Sequence, residues 1–318
     1  MEANEKNGQR QIDLYKKHRP TRFKDLVGQP QAVAQLEEWL SNGRVPNAVL
    51  FTGGSGVGKT TAARILAHRL GCTSRSDCQE INVAESRGID AIRDIMDRMW
   101  LAPMSGSGYR VWILDECAKL TSDAQGAALK MLEDGPSHAR FFLCTTDPQK
   151  LLKTVITRCA VLSFRALTEG ELEVVLDGVI AKENVRVPES VRNRIAEVAD
   201  GSARKAIVLF QQIMGLASEA EQLDAVQRSD SRRQAIDLAR ALMDPKTPWL
   251  KVAEILNGVD EEPESLRRMI LAYYNRVLLG GGAKANRAAE LISRFMYHYF
   301  DSGRAGLVLS CWESLRSK

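Results

Sequence analysis

The chain has 318 residues, 44% of them hydrophobic and 26% charged, with a formal net charge of +4. That length suits two or three domains, and the composition is that of an ordinary globular protein. The mild positive surplus permits nucleic-acid binding but does not argue for it, because most surface charge is simply solvated. No apolar run reaches membrane-spanning length, so no membrane partner is expected. The start, MEANEKNGQRQIDLYKK, lacks the apolar stretch of a signal peptide, and a cytoplasmic location is expected. Cys117, Cys144 and Cys159 lie in or beside apolar runs and read as small core residues rather than disulfide partners.

Residues 1–12 are polar. From there to Phe164, short apolar runs alternate with helical patterns, the signature of an α/β domain with a mostly parallel sheet. The first expected strand is Ala48–Thr52. Directly after it, Gly53-Gly-Ser-Gly-Val-Gly-Lys-Thr60 fits the phosphate-loop pattern in full and leads into a helical run, Thr61–Leu70. The glycines let backbone N–H groups turn toward phosphate oxygens, and the helix N-terminus adds a positive dipole end. Gly53, Gly54, Ser55, Gly56, Val57, Gly58, Lys59, Thr60 and Thr61 are therefore the candidate nucleotide-binding residues. Lys59 is expected to reach the β- and γ-phosphates, and Thr60 to offer its hydroxyl to Mg²⁺.

Further strands are expected at Glu80–Val83, Arg110–Leu114, Arg140–Thr145 and Ala160–Phe164, with helices at Asp90–Met99 and Ser122–Glu133. The run Val111–Leu114 ends in Asp115-Glu116. A buried strand so delivers two carboxylates to the sheet edge where open α/β sheets bind ligands. Asp115 can hold Mg²⁺, and Glu116 can polarise the attacking water as a general base.

After Phe164 the strand signals stop. Thr168-Glu-Gly-Glu opens a helix with a capping-box pattern, and further helices start near Pro188 and Ser202. The polar stretch Ala217–Ser231 reads as a connection or a poorly packed helix. Amphipathic helices follow at Gln234–Met243, Trp249–Asn257, Ser265–Leu279, Asn286–Tyr299 and Ala305–Leu315, with Gly280-Gly-Gly as a break. The expected organisation is an α/β nucleotide-binding domain with a parallel sheet over residues 1–165, a small helical domain over 166–225, and an all-helical domain over 226–318.

Residues 14–215 resemble the ATPase subunits of sliding-clamp loaders, such as the bacterial gamma/tau subunit and the small subunits of replication factor C. The likeness rests on Leu14-Tyr-Lys-Lys-His-Arg-Pro20 with Phe23-Lys-Asp-Leu-Val-Gly-Gln29, on the phosphate loop, and on Asp115-Glu-Cys-Ala118. It rests further on Cys144-Thr-Thr-Asp-Pro-Gln-Lys150, Thr157-Arg-Cys159 and Gly201-Ser-Ala-Arg-Lys-Ala206. The resemblance implies that residues 1–165 are an AAA+ nucleotide-binding domain, 166–225 a helical lid and 226–318 a helical collar for oligomerisation, and that the opening segment, with Arg19 and Val27, packs on the adenine. It implies that Thr146 is a sensor near the γ-phosphate and that Arg204 touches nucleotide from the lid. It also implies that Arg158 is an arginine finger acting in trans on a neighbouring subunit's nucleotide; a planar guanidinium suits that task.

The implied cofactors are ATP and Mg²⁺. The implied partners are a sliding clamp, primer-template DNA and other loader subunits in a pentameric assembly. The four-cysteine zinc module of the bacterial subunit has no full counterpart in Gly71–Cys78, which holds two cysteines, so no zinc is expected. For DNA, the N-terminus of the helix after Ser86-Arg-Gly-Ile-Asp90, with Arg87 and Ile89, can receive a phosphate. A capped surface helix with a solvated arginine stays open as the alternative. For the clamp, the resemblance points to Lys119–Gln125, which also reads as an ordinary loop and helix start. Two other functions compete with the loader: a translocating AAA+ motor such as a branch-migration helicase, and a structural loader subunit without catalysis.

Overall fold

The computed structural model describes residues 13–83, 88–104, 106, 108–259 and 261–316. The chain falls into two compact units, residues 1–215 and 216–318.

The first unit runs in order through α1 (Leu14–Lys17), α2 (Pro30–Ser41), β1 (Ala48–Gly53), α3 (Lys59–Arg69), β2 (Cys78–Asn82), α4 (Gly88–Arg98) and β3 (Arg110–Asp115). It continues with α5 (Ser122–Asp134), β4 (Ala139–Thr145), α6 (Lys153–Thr157), β5 (Ala160–Phe164), α7 (Glu169–Glu183), α8 (Glu189–Ala199) and α9 (Ala203–Ile213). The strands form one parallel sheet in the order β2-β3-β4-β1-β5. Strands covered on both faces read as continuous apolar runs, and β1, β3 and β4 are buried nearly end to end. Trp112 and Phe141 stack across the β3–β4 pair at 5.6 Å between ring centroids. With Leu114 and Leu143 they pack on Ile92 and Ile95 of α4 and on Ala124, Ala128 and Met131 of α5. The edge strand β2 is half-buried and ends one residue before the expected Val83. The sheet, the covering helices and the phosphate loop make this the AAA+ architecture expected, followed by many helices.

The three helices α7–α9 follow β5 directly. Thr168 closes the expected capping box: its hydroxyl accepts from Glu171 N at 3.3 Å, and its own N–H donates to Glu171 Oε2 at 2.9 Å. The Arg165 guanidinium adds a two-armed ion pair to Glu171 at 2.8 and 2.5 Å. That guanidinium, then the Thr168 N–H, hold the Glu171 carboxyl down at about 2, against an ordinary 4.5. A depressed carboxyl stabilises the fold above its unfolded value, and the contribution is lost as pH falls. Glu171→Gln should therefore flatten the loss of stability between pH 4.5 and about 2. The effect should stay within the ~1 kcal/mol of an exposed pair. Denaturant titrations across that range check it; an unchanged slope in the variant would refute the assignment.

The second unit holds α10 (Glu219–Met243), α11 (Trp249–Asn257), α12 (Pro263–Leu279), α13 (Ala285–Arg294) and α14 (Gly303–Arg316). They close on a core that includes Leu238, Leu242, Ile270, Tyr274, Leu291 and Phe295. The polar stretch 217–231 is helical from Glu219 and continuous with the next expected helix. Ser218 and Glu221 form a second capping box, and Gln222, Val226 and Ser231 are buried along one side. The helix expected to reach Tyr299 stops at Arg294. Arg267 Nη1 takes the carbonyl of Phe295 at 2.9 Å, and Tyr299 N donates to Glu264 Oε2 at 3.0 Å. These side chains satisfy backbone groups that a longer helix would have used internally.

Candidate nucleotide-binding site

The phosphate loop leaves the buried end of β1 and enters α3. Gly53 stands at φ 139°, and a Cβ placed there would lie 2.1 Å from the Phe164 carbonyl oxygen of β5. Gly56 is confined from the other side: its Cβ would meet Ser202 Oγ at 2.2 Å and Arg204 Cβ at 2.9 Å. The loop is thus wedged between the sheet and the start of α9. Lys59 is only 7% exposed. Its ammonium donates to the carbonyls of Gly53 at 2.9 Å and Gly54 at 2.6 Å. Burial is the main cause that lowers its pKa below the ordinary lysine value, while Asp115 among others works against the shift.

Thr60 Oγ1 donates to Asp115 Oδ2 at 2.9 Å, so the two oxygens expected at Mg²⁺ stand side by side, one on α3 and one at the end of β3. Glu116 follows in a left-handed conformation at φ 55°, with its N–H on Asp115 Oδ1 at 3.0 Å and its carboxylate ion-paired to Lys119. At the end of β4, Thr145 is buried, and its hydroxyl accepts from Asp147 N at 3.0 Å. Thr146, the expected sensor, is exposed beside it.

These elements enclose a cleft of about 570 Å³. Arg19, Val27, Ser55 to Thr61, Asp115, Glu116, Thr146 and Arg204 all line it. Gly53 and Gly54 are not in its wall; they act through their carbonyls on Lys59. Tyr15 and Thr145 also line the cleft and were missed in the sequence. The Arg204 guanidinium lies 5.5 Å from the Tyr15 ring centroid. Tyr15 belongs to the opening segment Leu14–Pro20 and Thr145 to the segment Cys144–Lys150, and membership of those segments was the signal available for each.

The cleft suits a nucleotide with Mg²⁺. Arg19 Nη1 is buried with no hydrogen-bond partner, a donor left for an anionic or polar ligand. The adjacent hydroxyl and carboxylate of Thr60 and Asp115 are oxygen donors of the kind that share Mg²⁺ with phosphates and water.

The other expected residues lie elsewhere. Arg158 caps the end of α6, is more than half exposed, and pairs with Glu133 of α5 at 2.7 Å; it is not in the wall of its own chain's cleft. Arg87 falls outside the described residues. Ile89 lies in the first turn of α4, half-buried against the core that includes Ile92, Trp112 and Ala124. Within Lys119–Gln125, Leu120, Ala124 and Gln125 are buried. The Gln125 amide donates to Leu120 O and Lys150 O and accepts from Leu152 N, so it binds two loops together. The surface of that segment narrows to Lys119 and Thr121 to Asp123. Cys72 is buried, with its thiol donating to Tyr109 O. Among the described residues no group of three or more His, Cys, Asp or Glu is arranged to hold a metal ion, and no described helix is long and apolar enough to cross a membrane.

A family model described as DNA polymerase III, delta subunit, matches residues 28–87 and 76–168. The chain is 32% identical over 290 residues to the DNA polymerase III subunit tau of Bacillus subtilis, covering 84% of this chain and 51% of that one. The chain belongs to the family of the DNA polymerase III gamma/tau subunits. It is also 33% identical over 225 residues to the gamma subunit of Buchnera aphidicola, covering 64% of this chain and 62% of that one. Against the tau subunit of Escherichia coli it is 34% identical over 219 residues, 63% of this chain and 34% of that one. The chain thus spans between 34% and 62% of the length of these three relatives. Among solved structures, the RuvB Holliday junction branch migration motor of Thermotoga maritima superposes with a TM-score of 0.56 at 20% identity, covering 79% of this chain and 84% of that one. At that identity the likeness concerns the fold alone.

Proposed function

We propose that the chain is the ATPase motor subunit of a sliding-clamp loader, using ATP binding and hydrolysis to open a ring clamp and place it on primer-template DNA. The observation that supports this most is the division of the site. Lys59, Thr60, Asp115, Glu116, Thr146 and Arg204 converge on one cleft, while Arg158 stands exposed away from it. A chain with its own loop, acids and sensors, but with its arginine facing outward, is built to hydrolyse ATP between neighbours.

In this reading Lys59 and the loop N–H groups hold the β- and γ-phosphates, and Arg19 and Val27 face the base and sugar. Thr60 and Asp115 would hold Mg²⁺, which when bound would supply charge neutralisation on the phosphate oxygens. Glu116, freed from Lys119, takes a proton from the attacking water, and Thr146 orients that water or the γ-phosphate. Arg204 reports the nucleotide to the helical lid, and the second unit serves as a collar that joins subunits. The N-terminus of α4, with Arg87 and Ile89, is our candidate for duplex phosphates, and Lys119 with Thr121 to Asp123 for the clamp.

The test is ATP binding and turnover by the full chain, alone and with candidate clamp, partner subunits and primed DNA. Lys59→Ala removes the charge facing the phosphates and should reduce turnover of the assembled complex to background. Wild-type turnover by that variant would sink the site assignment. A branch-migration motor shares the nucleotide site but would move or unwind DNA junctions with no clamp present. A structural subunit would show no turnover in any mixture.

A further inference from the structure

One buried polar side chain has no place in the nucleotide chemistry. Gln29 is 3% exposed and does not line the cleft. It lies behind the phosphate loop, at the start of α2. Its amide nitrogen donates to Val57 O at 3.4 Å and to Arg165 O at 2.8 Å, and its amide oxygen accepts from Arg165 N at 3.2 Å. Val57 belongs to the loop, and Arg165 is the first residue after β5, where the chain turns toward α7.

We propose that Gln29 is a positioning residue that locks the phosphate loop to the linker of the three-helix lid, so that phosphate held by the loop sets the position of Arg204.

Three observations carry the inference. The first is peptide geometry. In a trans peptide, C=O and N–H point in opposite directions. Anchoring the Val57 carbonyl on Gln29, behind the loop, therefore aims the Gly58 N–H toward the cleft. The second is the linker. Arg165 is gripped on both its backbone N–H and its carbonyl by the same amide, and its guanidinium is fixed on the Glu171 carboxylate that caps α7. Two residues on, Leu167 N donates to Gly201 O at 3.0 Å, beside the start of α9. The third is a second tie. Arg204 N donates to Gly56 O at 3.4 Å, so two successive loop carbonyls are held, one by Gln29 and one by α9 itself. Loop, linker and α9 form a closed circuit, with Gln29 as the side chain that shuts it.

The chemistry of the position is narrow. A primary amide can donate twice and accept at once in a single plane. An ionised glutamate can accept from Arg165 N but faces two carbonyl oxygens with no proton to give. Leucine leaves all three backbone groups unpaired, a costly state for buried polar groups.

The inference rests on the reading of the cleft as an ATP site, and the experiment separates the two. Hydrogen exchange of the full chain would be followed by mass spectrometry with no nucleotide, with ADP and with ATP, for wild type, Gln29→Glu and Gln29→Leu. In wild type, ATP should slow exchange both in the loop, residues 53–61, and in the segments 165–168 and 202–206. In the variants the loop should still be protected, since Lys59 and the remaining N–H groups persist. Protection of the two lid segments should vanish, and the preference for ATP over ADP should fall on the order of tenfold, the weight of the single buried hydrogen bond that ties Gln29 to the loop. A merely structural role would lower the melting temperature while leaving the ATP-dependent protection of both regions intact; that result overturns the proposal. Gln29→Glu is close in shape to the native residue and decides the matter if Gln29→Leu does not fold. Absence of ATP-dependent protection everywhere in wild type would remove the ATP reading and the inference with it.

Discussion

Replacing Arg158 with alanine should lower ATP hydrolysis in the assembled complex by about a thousandfold or more, while ATP affinity of the lone chain stays almost unchanged. Fingers that stabilise charge on a transferring phosphoryl group are worth about that much in rate. The structure supplies the reason for the split between the two measurements: Arg158 sits at the end of α6, exposed, on Glu133, and outside the wall of its own cleft. Losing a surface pair of this kind costs the fold little, at most ~1 kcal/mol. Mixed complexes reveal the direction of action. An Arg158→Ala subunit can be arranged beside a Glu116→Gln neighbour so that both defects fall on one interface, or on two. Only action in trans makes those arrangements differ, with more active interfaces left when the defects coincide. If Arg158→Ala weakens ATP binding by the isolated chain as much as Lys59→Ala does, the residue acts in cis or structurally, and the trans assignment is wrong.

Glu116→Gln should retain ATP binding and stop the chemical step, with a rate loss on the order of a hundred- to ten-thousandfold. An amide cannot accept the water's proton, yet it fills the same space. The substitution also breaks the ion pair with Lys119, but that pair is exposed and contributes little to stability. Asp115 and Thr60 keep their mutual hydrogen bond, so the expected Mg²⁺ position is left intact. The variant should accumulate a long-lived complex with ATP and clamp. Single-turnover kinetics provide the measurement; wild-type rates in one turnover would show that another group takes the proton.

What could be read from the sequence was what lies close together along the chain. The phosphate loop, the acidic pair and the Thr168 capping box are each complete within a few residues, and each motif has its full chemistry in the local pattern. The three central strands were legible for a related reason: with both faces covered, they show unbroken apolar runs. Long-range pairings left no such mark. Gln29 and Arg165 are 136 residues apart, and nothing in either neighbourhood points to the other. The helix α2 passed without notice because its buried side rests on few residues, Ala32 and Leu36 among them. Residues 217–231 read as either a connection or a poorly packed helix because the buried side of that helix includes Gln222 and Ser231, which no apolar periodicity would reveal. The early end of α13 is set by Arg267 and Glu264, side chains of another helix. Arg158 was read through its resemblance to a motif; its place outside the cleft came only with the fold.

Gly53 has a consequence for how chains of this kind can drift apart. A side chain at that position collides with the backbone of β5, so the requirement for glycine comes from sheet packing and holds whether or not nucleotide is ever bound. Lys59 and Thr60 are under no such steric demand; in the proposed function their side chains serve the phosphates and the metal. A descendant that had abandoned ATP would be free to lose the lysine and the threonine, yet would be compelled to keep the first glycine. A partial loop motif in a distant relative should therefore be weighed by which of its letters survive: the opening glycine attests to ancestry of the fold, and only the closing pair attests to a working motor.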